Sequence, residues 1–259
     1  MDLGIAGRRA LVFGGSRGMG RACALELARA GVAVTIAART EATLREAATA
    51  LAALSGLDVE WVVADLTTDA GRDAALAACP APDILVTVAD GAPPGDFRDW
   101  ARADWHRALD AMMLGPIEMM RRTVDGMQER GFGRIVHIVS RSVKAPQPEL
   151  GLSNGARSGL VAFSAGLARQ VAARGVTINN LLPGVFATDA QRHHVEALVR
   201  QGAGTFDALW QARGSASPVG RFGEPQEIGA LCAFLASRHA GYITGQSLLV
   251  DGGAHPGTF

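Results

Sequence analysis

The chain has 259 residues, of which 48% are hydrophobic and 19% are charged, and its net charge is zero. These values predict one domain over residues 1–259 with a sizeable core, and they leave no basic surface for nucleic acid or an anionic membrane. The N-terminus has no signal-peptide pattern, and no apolar run reaches the roughly 18 residues that span a bilayer, so we expect a cytoplasmic protein. The spacing of Cys23, Cys79 and Cys232 predicts buried free thiols and no metal site.

Short β-forming runs alternate with longer alanine-rich stretches, a pattern typical of repeated strand–helix units that build a parallel sheet. We therefore predict an α/β fold: a doubly wound, Rossmann-type parallel sheet of about seven strands with helices on both faces. The predicted strands are Arg9–Gly14, Val32–Ala37, Asp58–Ala64, Asp83–Val88, Arg134–Ser140, Val176–Leu182 and Gln246–Val250. The predicted helices cover 18–30, 41–54, 68–78, 100–130, 152–173 and 225–236.

A segment at 190–215, called here the lid segment, interrupts this alternation after the sixth strand. It reads as one or two amphipathic helices, because its apolar residues recur at helical spacing. Ligands bind beyond the carboxyl ends of parallel strands, so this insertion is placed to cover a substrate site. A surface helical hairpin that only packs is the alternative. The apolar positions are Val195, Leu198, Val199, Phe206, Leu209 and Trp210.

A glycine-rich turn joins the first strand to the first helix. Gly14, Gly18 and Gly20 allow a tight turn and a close approach of the backbone to a pyrophosphate, which a helix N-terminus favours. The position between strand and helix makes the spacing more specific than glycine content alone. The turn also contains Ser16, Arg17 and Met19, which we expect to contact the nucleotide.

The end of the second strand discriminates between the two nicotinamide cofactors. An acid there would bind the ribose 2′-hydroxyl of NAD, whereas arginine accommodates a 2′-phosphate. The chain has Arg39 and Thr40 at this point and no acid. Arg17 and Arg39 would flank the adenosine ribose and offer charge-assisted hydrogen bonds to a phosphate. We therefore predict NADP(H) as the cofactor.

These motifs, with Asp65-Leu66, Pro183-Gly184 and Thr188, and Asp251-Gly252-Gly253, resemble those of the short-chain dehydrogenase/reductase family over nearly the whole chain. The resemblance implies that Asp65 and Leu66 flank the adenine, and that Pro183, Gly184 and Thr188 surround the nicotinamide. It also implies cofactor contacts from Ala89 and Gly91, in the loop after the fourth strand, and a homotetramer.

The reacting end departs from the family pattern of Asn, Ser, Tyr and Lys. Ser140 matches the family serine, but Ser153 stands at the tyrosine position, Arg157 at the lysine position and Met112 at the asparagine position. Tyr242 and Lys144 are the only tyrosine and lysine of the chain, and neither falls in the motif. As candidate catalytic residues, Ser140 and Ser153 would donate hydrogen bonds to a developing oxyanion while water delivers the proton. Arg157 would contribute charge and bind the ribose hydroxyls of the nicotinamide cofactor, as the resemblance implies for the family lysine.

The predicted function is an NADP(H)-dependent oxidoreductase that acts on a hydrophobic carbonyl or alcohol, an imine or an activated alkene. The alternative is a catalytically impaired NADP(H)-binding sensor or an inactive partner in an oligomer. The Ser-x-x-x-basic pattern also resembles the dienoyl-coenzyme-A reductase branch, where the basic residue is lysine. The halohydrin dehalogenase branch shares the arginine but keeps its tyrosine and lacks the glycine-rich turn. Natural drift and engineering would each explain why the catalytic residues depart from the family pattern.

The expected substrate pocket is largely apolar, which favours a small hydrophobic molecule. Asp90, which follows the fourth strand, would bond a ribose hydroxyl or act as a proton relay, and the alternative is that it has no functional role. We expect His137 to be a packed strand residue, and His193 and His194 to lie on a solvated helix face or to contact a polar substrate. The predicted pocket residues are Met112, Val143, Leu150, Leu152, Val185, Phe186 and Trp210.

Overall fold

Seven parallel strands form one continuous sheet in the computed structural model, which describes residues 1–258. Their order is β3-β2-β1-β4-β5-β6-β7, so the chain winds outwards in both directions from β1 and β4. All seven predicted strands are present, with ends shifted by one or two residues, and the predicted doubly wound fold is confirmed. The strands are β1 Arg9–Phe13, β2 Ala33–Ala38, β3 Val59–Val63, β4 Ile84–Val88, β5 Gly133–Ile138, β6 Val176–Pro183 and β7 Ser247–Val250.

Nine α-helices accompany the sheet within residues 1–258. Five of the six predicted helices are present with nearly the expected bounds, and the region 100–130 differs. The helices are α1 Gly18–Arg29, α2 Glu41–Ser55, α3 Asp69–Ala78, α4 Arg102–Leu109, α5 Gly115–Glu129, α6 Gly151–Val171, α7 Asp189–Arg200, α8 Phe206–Gly214 and α9 Pro225–Ala236.

Alternate side chains of β1 point to opposite faces of the sheet, as strand geometry requires. Ala10 and Val12 join a core beneath α1, α2 and α9, while Leu11 and Phe13 join a second core beneath α3, α5 and α6. All four side chains are almost completely buried. Helices on both faces therefore bury both sides of the central strands, which explains why those strands read as unbroken apolar runs.

The predicted single helix at 100–130 is wrong in one respect, because a π-helical turn at Asp110–Leu114 divides it into α4 and α5. The amide of Gly115 donates to the carbonyl of Asp110, five residues earlier. Pro116 follows at once, and proline has no N–H to donate to the carbonyl four residues before it, with which its ring clashes. A widened turn at this point relieves that conflict.

The lid segment forms two helices, α7 and α8, joined by a loop that contains Gly202 and Gly204. Val195 is completely buried, and the other predicted apolar positions of the segment are half-buried. Trp210 stacks on Phe206 with ring centroids 5.6 Å apart and contacts Phe222 at 4.2 Å. The aromatic side of α8 thus packs inwards.

The three cysteines are buried free thiols, as expected. Cys23 and Cys232 lie in the interface between α1 and α9, and the hydrogen bond between them, together with burial, raises the pKa of Cys23. Within residues 1–258, no helix combines the length and the apolar character needed to cross a bilayer.

Candidate functional site

An open cleft of about 570 Å³ lies at the carboxyl ends of β1 to β5, which contribute Phe13, Ala38, Ala64, Val88 and Ile138 to its wall. The carboxyl edge of a doubly wound sheet is where ligands bind. Most of the residues predicted to bind the cofactor meet here. They are Gly14, Ser16, Arg17, Gly18, Met19, Arg39, Thr40, Asp65, Leu66, Ala89, Gly91, Arg157 and Thr188.

Gly20, Pro183 and Gly184 were also predicted to contact the cofactor, but they lie behind the cleft wall. A Cβ atom on Gly20 would be 2.2 Å from the carbonyl oxygen of Gly14, so this glycine allows α1 to start close against the turn. Pro183 is the buried last residue of β6, and a Cβ on Gly184 would meet Asp251 at 2.8 Å. The three residues shape the site from behind.

The glycine-rich turn has the features of an anion cradle. Gly14 and Gly18 have φ angles of 71° and 51°, in the left-handed region that favours glycine. No side chain caps the N-terminus of α1 at Arg17, and the first turn of this helix contains no acid. The free amides and the positive end of the helix therefore face the cleft beside Gly18 and Met19, where they fit a pyrophosphate.

The end of the cleft between β2 and β4 holds an ion pair. The Arg39 guanidinium contacts the Asp90 carboxylate at 2.6 Å, between the ends of β2 and β4, and both side chains are exposed. Burial by itself would raise the pKa of nearby Asp65, but hydrogen bonds from Thr67 and the charge of Arg39 bring that pKa below its usual value. Arg39 is the cation of this end, and Asp90 already engages it.

Arg157 is a buried cation that braces the ends of β4 and β5. Its Nη1 donates to the carbonyl of Val139 at 2.7 Å and more weakly to Ile138 at 3.4 Å, and its Nη2 donates to the carbonyl of Ala89 at 3.0 Å. Its Nε donates to Ser153 Oγ at 3.0 Å. Burial lowers the pKa of Arg157 to about 10, while the charge of Asp90 raises it, so the guanidinium stays protonated at neutral pH.

The five N–H groups of a guanidinium limit what Arg157 can do. Four of them point to the partners above, which leaves one on Nη2 for a ligand in the cleft. The sequence could not show that these four N–H groups already have acceptors, because three of the acceptors are backbone carbonyls on other elements.

The two candidate serines differ in their surroundings. Ser153 is buried on α6 and accepts from Arg157, so its own hydroxyl hydrogen is available to donate. Ser140 is half-buried after β5, and its hydroxyl accepts from the amide of Ser142 at 3.1 Å at the start of a short 3₁₀ turn, Arg141–Val143. Val139 lines the cleft, whereas the two serines lie next to its wall.

The π-helical turn decides which side chain faces the cleft. Ala111 lines it, whereas Met112 is turned into a small core with Ala108, Leu152 and Ala156. The Trp100 ring packs on the edge of this core. Two of the predicted pocket residues, Met112 and Leu152, therefore serve packing beneath the site.

The structure does not bring the remaining predicted pocket residues together. Val143 and Leu150 are half-buried in the loop before α6, and Trp210 is stacked within the lid segment. Val185 and Phe186 line a separate cavity of about 90 Å³. The sequence identified apolar residues near the correct strand ends but could not assign them to one wall.

Several residues of the cleft were not predicted as cofactor contacts. Asp189, Ala190 and His193 bring the first turns of α7 to it, following Thr188, whose hydroxyl accepts from the amide of Gln191 and caps this helix. Helical spacing is the signal for His193, because positions three and four apart share a face. The other lining residues that were not predicted as cofactor contacts are Phe13, Ala37, Ala38, Thr43, Ala64, Thr67, Val88, Ala111, Ile138 and Val139, besides Asp90, whose role was left open.

His137 is a packed residue, as expected. It lies in β5, where Thr87 Oγ1 is 2.7 Å from its Nδ1 and Met120 Sδ is 3.4 Å from its Nε2. Complete burial lowers its pKa to about 3. The imidazole is therefore neutral at physiological pH and takes no part in proton transfer at the cleft.

A family model described as enoyl-(acyl carrier protein) reductase matches residues 14–255 of the chain. The acetoacetyl-CoA reductase of Cupriavidus necator is 33% identical over 96% of this chain and 99% of its own length. A protein described as a short-chain dehydrogenase/reductase family protein has a TM-score of 0.85 and 27% identity, and the alignment covers 99% of this chain and 100% of that protein.

The chain belongs to the short-chain dehydrogenase/reductase family. Within this family, the L-sorbose reductase of Gluconobacter frateurii, solved in complex with NADPH and L-sorbose, is also similar. It has a TM-score of 0.93 and 29% identity, with 98% of both chains covered. The family assignment agrees with the resemblance drawn from the motifs.

Proposed function

We propose that this short-chain dehydrogenase/reductase is an NADP(H)-dependent oxidoreductase that works without the tyrosine and lysine of the family motif. The observation that carries the proposal is the cleft itself, in which the uncapped N-terminus of α1 and the Arg39 side chain line the same wall. The similar L-sorbose reductase is an NADPH complex, which supports the same cofactor for this chain.

The residues of the cleft fit such a nucleotide. The amides at Gly18 and Met19 would hold the pyrophosphate, and Arg39 with Arg17 would hold the 2′-phosphate. Asp65 and Leu66 would flank the adenine. When bound, the nicotinamide supplies a hydride to the substrate or accepts one from it.

Ser153 and Arg157 act as a fixed pair beside that site. The guanidinium polarises the Ser153 hydroxyl through the 3.0 Å hydrogen bond, which strengthens the hydroxyl as a donor to a developing oxyanion. Neither group is a proton donor with a pKa near neutrality, so water delivers the proton. Ser140 offers a second hydroxyl next to the same wall.

The substrate of this reaction is a small molecule with a largely apolar body: a ketone or alcohol, an imine or an activated alkene. An iminium carries its own proton, and an enolate formed by conjugate addition takes one from water, so both suit a site without a phenol. The similar proteins are named as reductases, which favours the enzyme over an inactive NADP(H)-binding partner. We also propose the homotetramer that the family resemblance implies, with α4, α5 and α6 at one interface.

The decisive experiment measures loss of NADPH absorbance with ketones, cyclic imines and enones. We expect turnover by the unmodified protein and a loss of about 10²- to 10³-fold in kcat for Ser153→Ala, because one oxyanion donor is removed. Ser164→Ala is the matched control, since Ser164 is a buried serine of the same helix whose hydroxyl has no partner. Tight NADPH binding without turnover of any substrate would overturn the proposed activity and favour a binding protein.

A further inference from the structure

Cationic side chains from three elements lie near enough to influence one another, because the charge of Arg141 acts on Arg213 and the charge of Arg213 acts on His194. Arg141 follows Ser140 directly in the 3₁₀ turn after β5. His194 lies on α7 and Arg213 on α8, and both side chains are partly buried. None of the three belongs to the cofactor cleft, so the nucleotide does not account for them.

Two buried donor atoms of the lid segment have no acceptor. Arg213 Nε and Gln191 Nε2 are both buried without a hydrogen-bond partner. Gln191 precedes His194 by three positions, so the two side chains share one face of α7, and α8 packs against this helix. A buried donor left unsatisfied costs about 1–3 kcal/mol, so the arrangement favours an acceptor that enters from outside the chain.

The surrounding charges have one sign. Desolvation and then the charge of Arg141 lower the pKa of Arg213, and desolvation and then the charge of Arg213 lower the pKa of His194. Within residues 1–258, no carboxylate pairs with any of these three side chains. The acids of the two helices, Asp189, Glu196 and Asp207, are exposed.

We propose that Arg141, Gln191, His194 and Arg213 bind an oxyanion of the substrate, a carboxylate or a phosphate monoester. The inference rests on the proposed reductase function for the reacting carbonyl and adds a charged end to the otherwise apolar substrate. Because Arg141 is adjacent to Ser140, the oxyanion lies near the reacting group. The lid segment then closes over the site by donating to that oxyanion from α7 and α8.

Binding is tested with matched pairs of probes, 4-oxopentanoate against its methyl ester and dihydroxyacetone phosphate against dihydroxyacetone. Isothermal titration uses the full chain with and without NADP⁺, the oxidised form, so that no turnover occurs. We expect at least one anion to bind about tenfold or more tightly than its neutral partner. Which anion does so identifies a carboxylate or a phosphate site.

The variants are Arg213→Gln and Arg141→Gln, with Arg200→Gln as the control. Arg200 is exposed at the end of α7, so its replacement removes the same charge from the lid segment without touching the proposed site. We expect both site variants to weaken anion binding roughly ten- to hundredfold, as loss of a charged hydrogen bond predicts. The methyl ester and the control should show no such change.

Equal binding of anion and neutral partner, or equal loss in Arg200→Gln, overturns the inference. Failure of the proposed function is a separate result, because it is the absence of NADPH binding or of turnover. Anion binding that survives without NADP⁺ still supports the site in that case. Weaker anion binding in Arg213→Gln alone, with unchanged binding in Arg141→Gln, also overturns the proposal that the two arginines share one site.

Discussion

Arg157 shows how a single side chain can stabilise a site without a carboxylate in contact with it. A buried charge costs several kcal/mol unless hydrogen bonds and opposite charge compensate for it. Here the compensation comes from the carbonyl oxygens of Ala89 and Val139 and from Ser153. Since these acceptors belong to the loop after β4, the end of β5 and α6, the guanidinium ties three elements together.

Arg157→Ala should lower the free energy of unfolding by about 3 kcal/mol, because several charge-assisted hydrogen bonds are lost and their acceptors stay buried. The free energy of unfolding of Arg157→Lys should lie between the values of Arg157→Ala and the unmodified protein, since an ammonium keeps the charge but not the planar fork of donors. Urea unfolding measures both. Arg169→Ala, at an exposed arginine of α6, is the control and should change stability by less than about 0.5 kcal/mol. Equal effects of Arg157→Ala and Arg169→Ala would contradict the bracing role.

Asp90→Asn should tighten NADPH binding by about two- to fivefold, because Arg39 no longer has to leave a carboxylate before it meets the 2′-phosphate. NADH lacks that phosphate, so its affinity should stay the same. Fluorescence titration measures the affinity of the variant and of the unmodified protein for each nucleotide. Asp96→Asn removes an exposed acid that pairs with Arg98 outside the cleft and serves as the control. Weaker NADPH binding in Asp90→Asn would show that the acid orients Arg39 and does not compete for it.

At the scale of helices, the packing of α1 against α9 depends on a glycine. A Cβ atom on Gly229 would be 2.5 Å from the carbonyl oxygen of Ala22, so the two helices approach more closely than a side chain allows. The same interface contains Cys23 and Cys232.

Gly229→Ala should therefore destabilise the protein by about 1–3 kcal/mol, the usual cost of overpacking. Gly166→Ala is the opposite case, since nothing lies within 4 Å of the added atom in α6. It should stabilise the protein by up to about 1 kcal/mol through helix propensity. Thermal unfolding of the two variants gives the comparison, and a shift of the same sign in both would refute the packing argument.

The sequence predicts the elements well where a local signal exists. Apolar runs define the seven strands, and Gly31, Gly131 and Gly175, with φ angles between 66° and 80°, mark the ends of helical segments. The break in the helix at 100–130 had a signal too, in Pro116, but helical periodicity on both sides concealed it.

The candidate site divides in the same way. Residues of the glycine-rich turn and Arg39 are predicted correctly to share one cleft, because strand order alone brings their backbones together. The apolar pocket was not predictable, since Ala111 and Met112 both lie in the π-helical turn, where Ala111 and not Met112 faces the cleft. Pairs of side chains from different elements, such as Arg39 and Asp90, leave no signal in the local sequence.

At the scale of the whole molecule, one buried base makes the stability of the fold depend on pH. His137 is neutral in the folded protein, with a pKa of about 3, whereas an unfolded histidine titrates near about 6.5. Between these values only the unfolded state binds the proton, so stability falls as the pH falls from about 6.5 towards 3.

His137→Asn should remove that part of the acid sensitivity, so its free energy of unfolding should fall less steeply than that of the unmodified protein below pH about 6. The difference in slope is at most about 1.4 kcal/mol per pH unit. His106→Asn, a change at an exposed histidine of α4, should leave the slope as it is. Identical slopes for all three proteins in urea unfolding would exclude His137 as the source.

The Ser153–Arg157 pair has a consequence for how the whole protein responds to its surroundings. A tyrosine–lysine pair changes charge within the alkaline range. At physiological pH the serine hydroxyl stays neutral, and the guanidinium, with a pKa of about 10, stays protonated. The electric field that this pair exerts on the cleft is therefore constant across the physiological range. Any bell shape in a rate profile then reports on groups other than the buried pair.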